Sequence, residues 1–200
     1  VKNLAVVGAG PAGLAAATVA AERGHQVTLF DSADQIGGQF NIAKLIPGKE
    51  EFYETLRYFG KMIDKTGVDL QLGRRVAAAD LAGFDEVILA TGIKPRTPDI
   101  PGIDNPKVIS YLDAIQQRKP VGQKVAVIGA GGIGFDVSEF VTHQGVSPSQ
   151  DVDLFWKEWG IDPTMQARGG IAGIDAQPHA PAREVFLLQR KSTKVGNGLG

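Results

Sequence analysis

The chain has 200 residues, no cysteine, and 21 Lys and Arg against 22 Asp and Glu. That length supports one medium domain or two small ones with a real core, and the balanced charge leaves no global footprint for nucleic acid or an anionic membrane. The absence of cysteine excludes a disulfide framework, a thiolate metal site, a CxxC redox centre and a cysteine nucleophile within these residues, and fits a reducing compartment.

The first element is predicted at once. Leu4-Ala5-Val6-Val7 has the short apolar run of a buried parallel strand, and Gly8-Ala9-Gly10-Pro11-Ala12-Gly13 follows it as a GxGxxG turn. A helix is expected over residues 14–23, closed by Gly24. Such a turn presents backbone N–H groups at a helix N-terminus, where the partial positive charge favours a pyrophosphate. Gly8 permits the tight turn, Gly10 lets phosphates approach the backbone, and Gly13 lets helix and strand pack closely.

A second strand runs from Gln26 to Asp31, which stands 18 residues after Gly13. Its carboxylate is placed to accept hydrogen bonds from adenosine ribose hydroxyls, or else it is a turn residue before Ser32. Gly37-Gly38-Gln39 would bring backbone and an amide against the same ligand. Residues 49–65 read as an amphipathic helix, with Phe52, Leu56, Phe59 and Ile63 on one stripe. Arg57, one position past that stripe, is either an ordinary solvated charge or a phosphate partner.

Short strands are expected near 68–72 and 74–78, then a buried strand over 85–90. The latter ends at Ala90-Thr91-Gly92, where ligands collect in doubly wound sheets. The prolines at 95, 98, 101 and 106 mark a linker, followed by a short helix over 111–118.

The opening unit then recurs 121 positions later. Val125-Ala126-Val127-Ile128 leads into Gly129-Ala130-Gly131-Gly132-Ile133-Gly134, and a helix over 135–144 is closed by Gly145. Asp136 falls in the first turn of that helix, where the dipole favours an acid. Residues 147–183 then intervene as an insertion with both tryptophans, Trp156 and Trp159, read as a surface excursion packing on a neighbour. The repeat resumes with Glu184-Val185-Phe186-Leu187-Leu188-Gln189-Arg190-Lys191, read as a buried strand.

That strand ends in two cations where the first copy has Asp31. A carboxylate would repel a 2′-phosphate, whereas Arg190 can grip one bidentately and Lys191, with Lys194 nearby, can add point charge. This contrast favours NADP in the second unit; a solvated basic strand end is the alternative. His25, His143 and His179 lack metal-ligand spacing, and no nucleophile–base constellation is visible, so no metal and no catalytic residue is predicted.

The two glycine turns, the Ala90-Thr91-Gly92 strand end, GGQFNIAKLIPGKEEFYETLRY, GAGGIGFD, EWGID and LLQRK together resemble flavin-linked reductases with two dinucleotide sites. The likeness is to the C-terminal region of the bacterial NADPH-dependent 2,4-dienoyl-CoA reductases. It implies an α/β fold of two Rossmann-like units: residues 1–120 for FAD, lacking a returning segment, and residues 121–200 for NADP, truncated and carrying the insertion at about 147–183. FAD would contact Gly8 to Gly13 (Gly8, Gly10, Pro11, Ala12, Gly13), Asp31, Gln39, Arg57, Val76, Ala90, Thr91 and Gly92. NADPH would contact Gly129, Gly131, Gly132, Ile133, Gly134, Arg190 and Lys191.

The resemblance further implies an N-terminal barrel carrying FMN and a 4Fe-4S cluster as the chain's partner, in a cytoplasmic enzyme without nucleic-acid or membrane partners. The Val1 start and the glycine-rich end from Gly196 are expected of a piece cut from such a protein, inactive by itself. Two other readings stand beside it: a trimethylamine-dehydrogenase-type flavoprotein holding ADP in the second site, and a nucleotide-binding module without a redox role.

Overall fold

The computed structural model describes residues 1–196; Asn197 to Gly200, most of the glycine-rich end, lie outside the described residues. The chain forms two compact units, one of Val1–Lys44 and Glu51–Ile103, the other of Leu45–Glu50 and Asp104–Gly200. These compact units divide near residue 103, and six residues of the first half belong to the second unit.

In the first unit, β1 (Asn3–Val7), β2 (Gln26–Phe30), β3 (Asp69–Gln71) and β4 (Glu86–Leu89) form one sheet in the order β3-β2-β1-β4, with every pair parallel. β1 is an interior strand of this sheet, and its side chains Ala5 and Val6, which alternate between the two faces, are both wholly buried. The helix α1 (Pro11–Glu22) returns the chain from β1 to β2 and buries Gly13, Leu14, Ala17 and Thr18.

Its C-terminus is a Schellman cap. Gly24 adopts φ +88°, its N–H donates to Ala21 and the N–H of His25 donates to Ala20. After the single-turn α2 (Phe40–Ala43), the helix α3 (Phe52–Thr66) buries Ile63 and packs Leu56 and Phe59 against the core of Leu4, Val6, Leu14, Val27 and Leu29. That stripe is the one its 3.6-residue periodicity dictates.

Two expectations for this unit need correction. Residues 74–78 form no strand. The Gly73 N–H donates to Ala33 and the Arg74 N–H to Asp31, while the Asp80 carboxylate accepts from the Ala77 N–H and starts a 3-10 turn at Ala78–Leu81. β4 is also not buried, with Leu89 72% exposed. Its only strand neighbour among the described residues is β1, so β4 is an edge.

In the second unit, α4 (Tyr111–Ile115) precedes β5 (Lys124–Ile128), α5 (Gly132–Thr142), α6 (Val152–Trp159) and β6 (Glu184–Leu188). α4 opens on a Ser110 cap whose hydroxyl accepts from the Asp113 N–H. β5 and β6 pair in parallel from Lys124 opposite Glu184 to Ile128 opposite Leu188. The pair is not the buried strand expected, since Ile128 is 65% and Phe186 49% exposed. α5 packs on one face of this two-stranded sheet, and nothing among the described residues buries the other.

The second helix also ends differently from the first. His143 leaves α5 in extended conformation, and Gly145, although at φ +87°, is not a cap. The 147–183 insertion leaves and returns at one place, where the Ala182 N–H donates to Thr142. Arg183 closes that base by donating to the carbonyls of Val141 and Val121. Within the excursion, α6 is capped by Asp151, whose carboxylate accepts from the N–H groups of Asp153 and Leu154. Trp159 is 64% exposed.

Candidate nucleotide-binding sites

The first glycine turn is held by backbone approach that only glycine permits. Gly8 has φ +109°, and a Cβ there would stand 2.2 Å from the Ala90 carbonyl oxygen. A Cβ on Gly13 would lie 1.7 Å from the Gly8 carbonyl oxygen, so α1 sits directly against the turn. The Ala90 N–H donates to Val7, which carries the β1–β4 ladder up to this point. Gly8, Gly13 and Ala90 are therefore brought together, with exposed Thr91 and Gly92 continuing from the same strand end.

Gly37 and Gly38 form the opposite wall. The Gly37 N–H donates to the Ala9 carbonyl, and a Cβ on Gly38 would approach the Gly10 Cα to 3.0 Å. No side chain caps α1, Pro11 has no N–H, and the amides of Ala12 and Gly13 find no acceptor among the described residues. These free donors, on a turn in which Gly8, Gly10 and Gly13 lack Cβ atoms, suit a phosphate at the helix N-terminus.

Asp31 closes the site beyond β2. Its carboxylate accepts from the Ala9 N–H at 2.6 Å and from the Ala33 N–H at 2.8 Å. The second bond is the turn role considered as the alternative for this residue. Each carboxylate oxygen keeps a further lone pair, so the contacts leave room for a ribose hydroxyl. Gln39 is exposed at the start of α2 and Val76 is half-buried after β3. Arg57 is exposed and its Nε donates to Glu54 at 2.6 Å, which is the ordinary surface role open to it.

The second turn repeats the backbone but not its surroundings. Gly129 has φ +117° and its N–H donates to Leu188, while a Cβ on Gly134 would stand 1.8 Å from the Gly129 carbonyl oxygen. A Cβ on Gly129 or Gly131 would meet nothing within 4 Å. The helix N-terminus is again uncapped, and the amides of Gly132, Ile133 and Gly134 have no acceptor among the described residues. The donor set fits a phosphate here as well.

Arg190 and Lys191 follow β6 in a bend that the Gln189 amide closes by donating to the Thr193 carbonyl. Both are exposed, and neither forms an ion pair among the described residues. Asp136, expected in the first turn of its helix, lies beyond it because α5 starts at Gly132. There it pairs with Lys49 at 2.6 Å.

That pair was missed from sequence because Lys49 and Glu50 read as helix. Ser149 donates to Glu50 at 2.6 Å, and the Gly48 N–H donates to Ser147 at 3.3 Å. Partial burial pushes the Glu50 carboxyl up, but the hydroxyls of Ser149 and Ser147 and the backbone amides outweigh it and hold the group below its ordinary range. No His, Cys, Asp and Glu cluster able to hold a metal exists among the described residues. His25 accepts from the Lys2 N–H, and His179 faces Glu158 at 3.8 Å. No helix among the described residues is long and apolar enough to cross a membrane.

Comparison with known proteins places this geometry. The family model described as pyridine nucleotide-disulphide oxidoreductase matches residues 2–154. The chain is 36% identical over 147 residues to the cinnamate reductase of Clostridium sporogenes, covering 72% of this chain and 22% of that protein. It is 39% identical over 134 residues to the N,N-dimethylglycine/sarcosine dehydrogenase of Chromohalobacter salexigens, covering 63% of this chain and 19% of that protein.

Among solved structures, a complex of 2-naphthoyl-CoA reductase with 2-naphthoyl-CoA aligns with a TM-score of 0.66 and 38% identity, covering 70% of this chain and 22% of that one. The chain thus spans about a fifth of the length of these relatives. The family name includes disulphide chemistry, but a chain with no cysteine carries none of its own. By the family match, the parallel α/β fold and the uncapped glycine turns, the chain belongs to the pyridine nucleotide-disulphide oxidoreductases as an FAD/NAD(P)-binding part, and over that part it is similar to a cinnamate reductase and a 2-naphthoyl-CoA reductase.

Proposed function

We propose that this chain is the FAD- and NADPH-binding part of a reductase that delivers electrons to a 2,4-dienoyl-CoA thioester. The observation that carries the proposal is the contrast between Asp31, beyond β2, and Arg190 with Lys191, beyond β6. One unit follows its second strand directly with an acceptor for ribose hydroxyls; the other has Gln189 at that register position and offers donors for a 2′-phosphate one and two residues further on. Residues 1–120 then serve FAD and residues 121–200 serve NADPH.

FAD, when bound, supplies a redox centre that accepts a hydride and passes electrons on singly. The residues of this chain bind and orient. The free amides of Ala12 and Gly13 hold a pyrophosphate, and Gly8 and Gly10 keep side-chain atoms out of its way. Asp31 fixes the ribose, while Gln39, Arg57, Val76, Ala90, Thr91 and Gly92 line the rest. In the second unit, Gly129 to Gly134 hold the other pyrophosphate, and Arg190 and Lys191 select the phosphorylated nucleotide. FMN and a 4Fe-4S cluster belong to the remaining part of the protein, which is cytoplasmic. The CoA-thioester and cinnamate substrates named for two relatives support an activated alkene as the final acceptor.

A second reading is favoured by the dimethylglycine/sarcosine dehydrogenase relative: an amine dehydrogenase in which the second unit holds ADP without hydride traffic. ADP offers no 2′-phosphate for Arg190 and Lys191. The test is NADPH oxidation by the full-length protein that carries this chain, with a 2,4-dienoyl-CoA or dimethylglycine added in turn. Dienoyl-CoA-dependent oxidation of NADPH is expected; oxidation of the amine without NADPH consumption would overturn the proposal.

A further inference from the structure

Each glycine turn has the same internal register. Val7 of β1 lies opposite Phe30, and Ile128 of β5 lies opposite Leu188. The Gly8 N–H donates to Phe30 as the Gly129 N–H does to Leu188. The residue that follows is Asp31 in one unit and Gln189 in the other.

From this common position the two side chains do different things. Asp31 accepts from the Ala9 N–H at 2.6 Å, so a carboxylate of the protein already occupies the amide inside the first turn. Gln189 is committed instead to the Thr193 carbonyl. The matching amide of the second turn, on half-buried Ala130, has no acceptor among the described residues.

A half-buried N–H without an acceptor is costly unless water or a ligand supplies one. A carboxylate at position 189 would satisfy it, and would then repel a 2′-phosphate. Gln189 carries no charge, and its donor closes the bend that holds Arg190 and Lys191 beside the strand end. One strand end thus offers a free amide and two cations, with an uncharged residue between them.

We propose that the NADPH 2′-phosphate takes the place in the second turn that the Asp31 carboxylate holds in the first. One of its oxygens accepts from the Ala130 N–H, and Gln189, by closing the bend, positions Arg190 and Lys191 on the others. Ala130 is then a binding residue through its backbone, and Gln189 is a positioning residue that sets specificity. This rests on the assignment of NADPH to the second unit. An anion meets the second residue of each turn, supplied by the protein in one unit and by the ligand in the other.

The experiment is hydrogen exchange at the Ala130 amide in the full-length protein, read by mass spectrometry at saturating 2′,5′-ADP or 5′-AMP. A charge-assisted bond to this amide should make exchange about tenfold or more slower with 2′,5′-ADP than with 5′-AMP. Equal exchange with the two ligands would overturn the proposal while leaving NADPH binding itself in place. Failure of 2′,5′-ADP to bind more tightly than 5′-AMP would remove the NADPH assignment, and the Ala130 role with it.

Substitutions at Gln189 test its own part. Gln189→Leu keeps the bulk and removes the donor to Thr193. NADPH affinity is expected to fall about five- to tenfold, with NADH affinity altered less than about twofold. Gln189→Asp puts a carboxylate where Asp31 stands in the first unit. It is expected to slow Ala130 exchange with no nucleotide added and to reverse the preference, NADPH weakening about a hundredfold while NADH tightens. An NADPH preference retained in Gln189→Asp would overturn the proposal. So would an unchanged NADPH affinity in Gln189→Leu, or NADPH and NADH affinities falling together there.

Discussion

A Cβ on Gly8 would stand 2.2 Å from the carbonyl oxygen of Ala90, so the first glycine turn and the end of β4 are in backbone contact. The second turn has the same positive φ at Gly129 but open space where that contact would be. The two glycines should therefore respond differently to one substitution. Gly8→Ala combines a steric clash with backbone strain and is expected to cost about 3 kcal/mol or more. Gly129→Ala carries strain alone, about 1–2 kcal/mol. Urea unfolding of the two variants checks the difference, and equal losses would count against the contact.

Asp31 holds two backbone amides, so replacing it tests structure and cofactor together. In Asp31→Asn one amide would face an NH2 group, a loss of about 1–3 kcal/mol for an unsatisfied donor. If the carboxylate also accepts from a ribose, FAD affinity should fall about tenfold or more beyond what the stability loss explains. Measuring FAD dissociation under conditions where the variant is fully folded separates the two. Unchanged FAD affinity would leave only the turn role.

The strand–turn–helix units were legible because glycines at Gly8, Gly13, Gly129 and Gly134 answer to local geometry: each stands where a side chain would collide or a positive φ is required. The apolar stripe of α3 was legible for a similar reason, periodicity. The 74–78 strand was not, because hydrogen bonds from Gly73 and Arg74 back to the 31–33 loop replace strand pairing. The Leu45–Glu50 segment was hidden by its own charge. Lys49 and Glu50 suit a helix, and only their partners at Asp136 and Ser149, far along the chain, hold them out of one.

Exposure of β4, β5 and β6 was likewise out of reach. An apolar run reports what a strand is suited to touch, not whether a neighbour covers it. The candidate sites divide along the same line. Glycine positions told where a phosphate fits, while the surface pairing of Arg57 with Glu54 depended on rotamers that no pattern encodes.

Asp162 gives a pH prediction within the insertion. Its carboxylate accepts from the Thr164 hydroxyl and from the amides of Thr164, Gln166 and Ala167. The Thr164 hydroxyl, then the Ala167 and Thr164 amides, outweigh desolvation and lower its pKa from 3.8 to about 2. A carboxylate with a depressed folded pKa stabilises fully above its unfolded value, and this contribution fades as pH falls through 3.8 towards 2. The Gln166 and Ala167 amides should thus stay protected between pH 5 and 8 and open as pH approaches 2. Asp162→Asn should weaken the loop at neutral pH and flatten its acid response. NMR amide exchange across pH reports both, and an acid response unchanged in the variant would argue against the assignment.

The central claim is that β5, α5 and β6 build a site for NADPH, selected by Arg190 and Lys191. Its most direct test is fluorescence titration of NADPH and NADH against the full-length protein and its Arg190→Ala variant. The account predicts tighter binding of NADPH than NADH, with the variant losing about tenfold or more of NADPH affinity while NADH affinity barely moves. Equal affinities in the unsubstituted protein, or an NADPH preference undiminished in the variant, would contradict it.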